Sequence, residues 1–211
     1  MARFNVENAD HYGGQGGGGY FSLKNDKDVA QVRFLYDSAE DIEGYAVHEV
    51  QVGDKKRYVN CLREYGEPVS ACPLCEKGLF VQAKYFVPLF NLTTNRIETW
   101  ERGKKFGSKL ASLCSRYPHL VSHTFEIERN GVKGDTATTY EIYETGQDDT
   151  SIADFEIPSP LGSHVLDKSD AELQFYAEHG YFEDSASADE VPVRRRTSTD
   201  RRTPVRDSEV Y

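Results

Sequence analysis

Residues 45–62 read YAVHEVQVGDKKRYVNCL, and a little further on residues 72–75 read CPLC. Tyr45 to Val52 and Lys56 to Leu62 have the length and residue types of two strands, and Gly53-Asp54 between them is a turn signal, so the stretch predicts a β-hairpin. With the turn near residues 53–55, His48 and Cys61 fall nearly opposite one another and approach a common point from the same side of the hairpin. Cys72-Pro73-Leu74-Cys75 supplies two more thiols, which a short turn aims at one centre. A nitrogen and three sulfurs, from His48, Cys61, Cys72 and Cys75, make a tetrahedral zinc set. Four protein donors leave no position for water, so the expected ion is structural rather than catalytic.

Other readings of the cysteines are weaker. A redox Cys-x-x-Cys pair belongs at a helix start after a strand in a βαβ setting, which this sequence lacks. The thiols and the imidazole could also be ordinary core groups. Cys114 is the remaining candidate ligand, but it falls on the apolar stripe of a helix and reads as core packing.

Working outward, Val29–Tyr36 alternates with Val32, Phe34 and Tyr36 on one face and reads as a strand. Tyr85–Leu92 and Arg96–Glu101 form a second expected hairpin with Thr93-Thr94-Asn95 at its tip. Pro88 is expected at an edge or a bulge there. Lys104–Tyr117 switches to helical spacing through Phe106, Leu110, Leu113, Cys114 and Tyr117, and Pro118 closes it. Thr124–Arg129 and Thr138–Tyr143 read as a last strand pair. The fold class is therefore mainly β, with one internal helix in a small closed or half-closed barrel. Ser169-Asp170-Ala171-Glu172 is a capping box that opens a short helix for Gly180 to end.

The 211 residues carry a net charge of −10, unevenly spread. Residues 1–19 contain the run GGQGGGG and read as a flexible N-terminus. Residues 20–145 are nearly neutral and form the expected core domain. Residues 146–190 carry 12 acids against one base, and residues 191–211 carry six arginines against three acids. Such blocks read as interaction tails. No apolar run is long enough for a membrane span, and Met1–Tyr20 does not resemble a secretory signal. A reducing cytoplasmic compartment is the expectation. No nucleophile–base grouping, phosphate loop or open metal triad appears, so the chain is expected not to be an enzyme.

Two stretches interleave cations with aromatic rings, Lys84-Tyr85-Phe86 and Trp100-Glu101-Arg102-Gly103-Lys104-Lys105-Phe106. Tyr58 and Arg63 lie near the proposed zinc. Cations that follow phosphates and rings that stack on unpaired bases are what single-stranded nucleic acid requires.

The order His48, Cys61, Cys72-Pro73-Leu74-Cys75, an aromatic pair, then Gly103-Lys104-Lys105 before a helix resembles the single-stranded DNA-binding proteins of T-even-type bacteriophages, over roughly residues 25–145. The spacing from Cys61 to Cys72 differs by one residue. The resemblance implies an OB-fold, a five-stranded barrel with an inserted zinc subdomain, that coats unpaired DNA in replication, recombination and repair. It implies Tyr85 and Phe86 as cleft aromatics, Trp100 in the place of a stacking tyrosine, and Tyr58 where the family also has an aromatic. It further implies that an acidic region, here 146–190, recruits replication and recombination proteins and competes with DNA for the cleft. The family's basic N-terminal arm, which drives self-association along DNA, is missing. A basic-then-hydroxyl cluster, Arg194-Arg195-Arg196-Thr197-Ser198, lies near the C-terminus instead. The alternative is a zinc-stabilised adaptor that binds replication or transcription proteins without touching nucleic acid.

Overall fold

A computed structural model of the chain describes residues 19–148, 151 and 156–183. The Gly-rich start and the Arg194–Ser198 cluster lie outside the described residues. The strands are β1 Gly19–Tyr20, β2 Val29–Phe34, β3 Gly44–Val52, β4 Lys55–Asn60, β5 Val81–Asn91, β6 Arg96–Gly103, β7 His123–Asn130, β8 Thr139–Gln147 and β9 Val165–Leu166. The α-helices are α1 Pro73–Glu76, α2 Gly107–Arg116 and α3 Asp170–His179. All nine strands belong to one mixed sheet, open rather than closed, with the path β8-β7-β2-β5-β3-β4-β9 and β6 and β1 branching from β5.

The branch arises because β5 is long enough to hold two neighbours in succession along one edge. Its first half pairs with β3, from Val81 to Tyr85, and its last residues, Leu89 to Asn91, pair with β2. Its other edge pairs with β6 from Lys84 to Asn91. Pro88 sits where the neighbour changes. Its carbonyl accepts from Leu35 N–H at 3.1 Å on the β2 side. Backbone N–H and C=O of one antiparallel residue point the same way, so the missing donor of Pro88 falls at the junction between two ladders and costs the sheet nothing. Neither an edge nor a bulge is needed to place it.

Five of the strands, in the order β6-β5-β2-β7-β8, wrap one core that includes Val32, Phe34, Val87, Leu89, Trp100, Phe125, Ile127 and Tyr140. Helix α2 caps that core with Leu110 and Leu113, and Phe106, Cys114 and Tyr117 pack beside them, as the helical spacing predicts. The outer strands of the five approach each other: the Trp100 and Tyr140 rings meet edge-on with centroids 5.4 Å apart. Among the described residues no ladder joins β6 to β8. Side chains fill the seam instead. The Arg102 guanidinium lies 4.5 Å from the Trp100 ring and 4.2 Å from the Tyr140 ring, and Lys109 Nζ donates to the Tyr140 carbonyl. Of the closed or half-closed barrel expected, closure is not found: the sheet is open, curled on itself and sealed by aromatic and cationic side chains.

A second core lies under the β3–β4 hairpin and contains Val50, Val59, Cys72, Leu74, Cys75, Leu173 and Phe182. Two of its members come from the region read as an acidic tail. Far from standing apart, residues 156–183 pack on the body. β9 adds to β4 in parallel, and Val165 fills a small third core with Val47 and Phe86. Asn60 and Lys168 exchange two hydrogen bonds, Nδ2 donating to the Lys168 carbonyl at 3.0 Å and the Lys168 N–H donating back at 2.8 Å. The apolar residues of this stretch, scattered among twelve acids, anchor it to the body. Among the described residues no helix is long and apolar enough to cross a membrane.

Candidate metal centre and the adjoining cleft

The β3–β4 hairpin turns on Gly53, whose φ of +57° suits a residue without Cβ. The two-residue turn sets His48 opposite Val59, while the Cys61 N–H donates to the Ala46 carbonyl at 2.9 Å. His48 and Cys61 are therefore diagonal neighbours on one face, Cys61 lying two residues beyond the position directly opposite His48. That slip still leaves them within reach of one ion. Cys72 precedes α1, where Pro73 occupies the first turn and supplies the φ that starts it. The single helical turn returns Cys75 to the same point, and Leu79 N–H closes the loop on the Leu74 carbonyl at 2.9 Å.

The result is one cluster. His48 Nε2 lies 3.5 Å from Cys72 Sγ and 3.6 Å from Cys75 Sγ, and Cys61 Sγ lies 3.5 Å from Cys75 Sγ. The four donor atoms all fall within 4.8 Å of one another and can hold one metal ion. Cys114 stands outside it, with Sγ directed at the Leu110 carbonyl of its own helix. The sulfurs are not bare: backbone N–H groups of Cys75, Leu62 and Leu74 reach Cys72, and that of Arg63 reaches Cys61. Burial pushes the Cys61 and Cys75 thiols up, whereas at Cys72 those N–H groups outweigh burial and bring it down. Burial likewise lowers the His48 pKa, which favours the neutral imidazole, the form that ligates a metal. Three neighbouring thiols resist joint ionisation; a dication removes that penalty.

Opposite faces of the same hairpin do different work, because side chains alternate along a strand. His48, Val50 and Val59 face the metal centre. Glu49, Lys56 and Tyr58 face a cleft lined also by Tyr20, Glu101 and His164, and Arg57, whose ladder partner is Val50 on the metal side, borders it.

The structure separates the expected nucleic-acid contacts. Trp100 is 0% exposed and Phe86 is 1% exposed, so neither presents a face to a base. An aromatic on a strand faces core or solvent according to register, and these two face inward. Tyr85 is partly buried against the main core. Its ring fills the space over Gly107, where a Cβ would stand 2.6 Å from the hydroxyl. Arg102 is held in the β6–β8 seam rather than offered to phosphate. Lys84 pairs with Glu101 at 2.6 Å and lies 5.0 Å from the Tyr58 ring, beside the cleft. Arg63 is half-buried near the metal centre, and Lys104 and Lys105 are exposed ahead of α2. Sequence reading did not single out Tyr20 or His164, which lie far from the motifs in sequence and reach the cleft only through β1 and β9. No protein-family model matches the chain, and no characterised protein matches its sequence.

Proposed function

We propose that the chain is a zinc-stabilised protein that binds and protects single-stranded DNA during replication, recombination and repair. The observation that carries this reading is the hairpin itself: one face completes a four-donor metal set, and the other lines a cleft of two tyrosines, a histidine, two cations and two carboxylates. Zinc suits the donors. At ordinary bond lengths a tetrahedral site needs N–S separations of about 3.6 Å and S–S separations of about 3.8 Å, close to the three contacts of 3.5, 3.6 and 3.5 Å, with all four donors within 4.8 Å of one another. With four protein donors the ion is structural, and the cleft residues do the binding. The curled five-strand sheet with its side-chain seam is read as a half-open OB-like barrel, the architecture that the resemblance implies. Contacts with replication proteins and self-association along DNA belong to the same reading.

Titration of oligo(dT) across a salt series tests it. If about five phosphates are neutralised, log affinity falls against log salt with a slope of about −3.5. Failure to bind oligo(dT), or binding indifferent to salt, removes the reading. The adaptor reading draws on Tyr65, Val69 and Phe80, exposed apolar residues close in sequence to the metal ligands. It predicts no oligo(dT) binding at any salt concentration.

A further inference from the structure

Two carboxylates and two cations line the cleft, and Lys84 beside it adds a third cation. Both carboxylates are already paired, Glu49 with Lys56 and Glu101 with Lys84. Arg57 is exposed and has no ion pair among the described residues. Its guanidinium is near enough to act electrostatically on both Tyr20 and His164. Among the described residues, one cation bordering the cleft is therefore left without an ion pair.

The rings are arranged to match. Tyr20 is 47% exposed and rests against His164, with ring centroids 4.4 Å apart and planes 58° apart. His164 in turn stacks on the buried Phe86, with centroids 6.1 Å apart and planes 11° apart. It is only 6% exposed, and its Nε2 is buried without a hydrogen-bond partner. Such a group is costly to leave unsatisfied, and in a polar cleft it marks a place where a ligand atom or a water completes the structure. A free guanidinium, an exposed ring and an orphaned imidazole nitrogen within one cleft match the three parts of an unpaired nucleotide.

We propose that this cleft is a nucleotide subsite. Arg57 takes a backbone phosphate and Tyr20 offers its face to the neighbouring base. His164 forms the floor beneath Tyr20 and holds its ring in place. This rests on the single-stranded DNA reading and relocates its stacking residues from Phe86 and Trp100 to Tyr20. The metal centre enters only as the brace behind Tyr58 and Glu49.

The test is fluorescence-anisotropy titration of the full chain with labelled oligo(dT) of about 16 nucleotides, the upper end of a single-module site. Arg57→Ala, Tyr20→Ala, Tyr20→Phe and a charge control, Lys24→Ala, are compared with wild type, and thermal melting confirms that each is folded. Tyr20→Ala weakens binding at least five-fold, as loss of one stacked base requires, while Tyr20→Phe retains affinity. Arg57→Ala weakens binding and makes the salt slope shallower by about 0.7. Lys24→Ala leaves both unchanged. If wild type binds but Arg57→Ala and Tyr20→Ala bind equally well, the subsite is overturned and the DNA-binding reading stands. If wild type does not bind oligo(dT), that reading fails and takes the subsite with it.

Discussion

Cys72 belongs to the metal set and to the apolar core beneath the hairpin at once, fully buried beside Leu74 and Leu173. Its replacement by serine removes a donor and leaves a hydroxyl where a sulfur was sheltered. A structural zinc supplies on the order of 10 kcal/mol of folding energy. Cys72→Ser is therefore expected to lose metal and cooperative thermal unfolding together, read by metal analysis and calorimetry on one sample; a metal-free variant that melts like wild type contradicts this. Trp100 makes the complementary case. It is enclosed by Phe21, Phe106, Tyr140 and Arg102, so Trp100→Ala is expected to cost about 3–5 kcal/mol in denaturant unfolding. The conservative Trp100→Phe is expected to leave oligo(dT) affinity unchanged; lost affinity in a well-folded Trp100→Phe would restore the ring to the binding surface. The contrast explains what single residues reveal. His48, Cys61, Cys72 and Cys75 were legible because a metal set is defined by donor type and reach. Trp100 and Phe86 were not, because a ring on a strand has no intrinsic side; only the register of β5 and β6 assigns one.

Helix α3 is the clearest element. Ser169 Oγ caps the Glu172 N–H, the Glu172 carboxylate accepts from the Ser169 N–H at 2.8 Å, and Gly180 ends the helix at φ +79°. Lys168 adds an ion pair to Glu172 at 2.6 Å. That pair, with the Ser169 hydrogen bonds, pulls the Glu172 carboxyl from its ordinary 4.5 down to about 2. A carboxyl with a depressed pKa stabilises the fold above its unfolded pKa, and that contribution is lost as pH falls through the folded value. The α3 amides are therefore expected to lose hydrogen-exchange protection between about pH 4.5 and about pH 2, and Glu172→Gln should flatten that dependence. Ser169→Ala should cost about 1 kcal/mol. An unchanged profile in Glu172→Gln would place the acid sensitivity elsewhere. The capping box and hairpins could be read in advance because their signals are local. β1 and β9 could not, since each is a two-residue strand and too short for periodicity. Each is placed by a parallel partner distant in sequence, Gly19 on Glu98 and Val165 on Tyr58.

At the scale of the whole molecule, the acidic stretch changes character most. Twelve acids in residues 146–190 read as a solvated tail, yet Val165, Leu173 and Phe182 are buried in it. Burial of each such side chain stabilises by about 1.5–3 kcal/mol. Truncation after Thr145 is therefore expected to lower the melting temperature clearly and to weaken oligo(dT) binding, because it also removes His164 from the cleft. An unaltered melting curve would show that residues 156–183 do not hold the body together. Charge distribution gave the segment boundaries well, but three apolar side chains outweighed net charge in deciding where the segment lies. Likewise the β-rich class was legible, while the open path and its side-chain seam depend on how β5 divides its edge between β3 and β2. The central claim is a single metal ion held by one nitrogen and three sulfurs. Metal analysis of the purified chain beside Cys61→Ser and Cys114→Ser variants tests it most directly. One equivalent of zinc in wild type and in Cys114→Ser, and none in Cys61→Ser, is the predicted result. A wild-type chain that binds no metal, or a Cys61→Ser variant that keeps a full tightly bound equivalent, would contradict it.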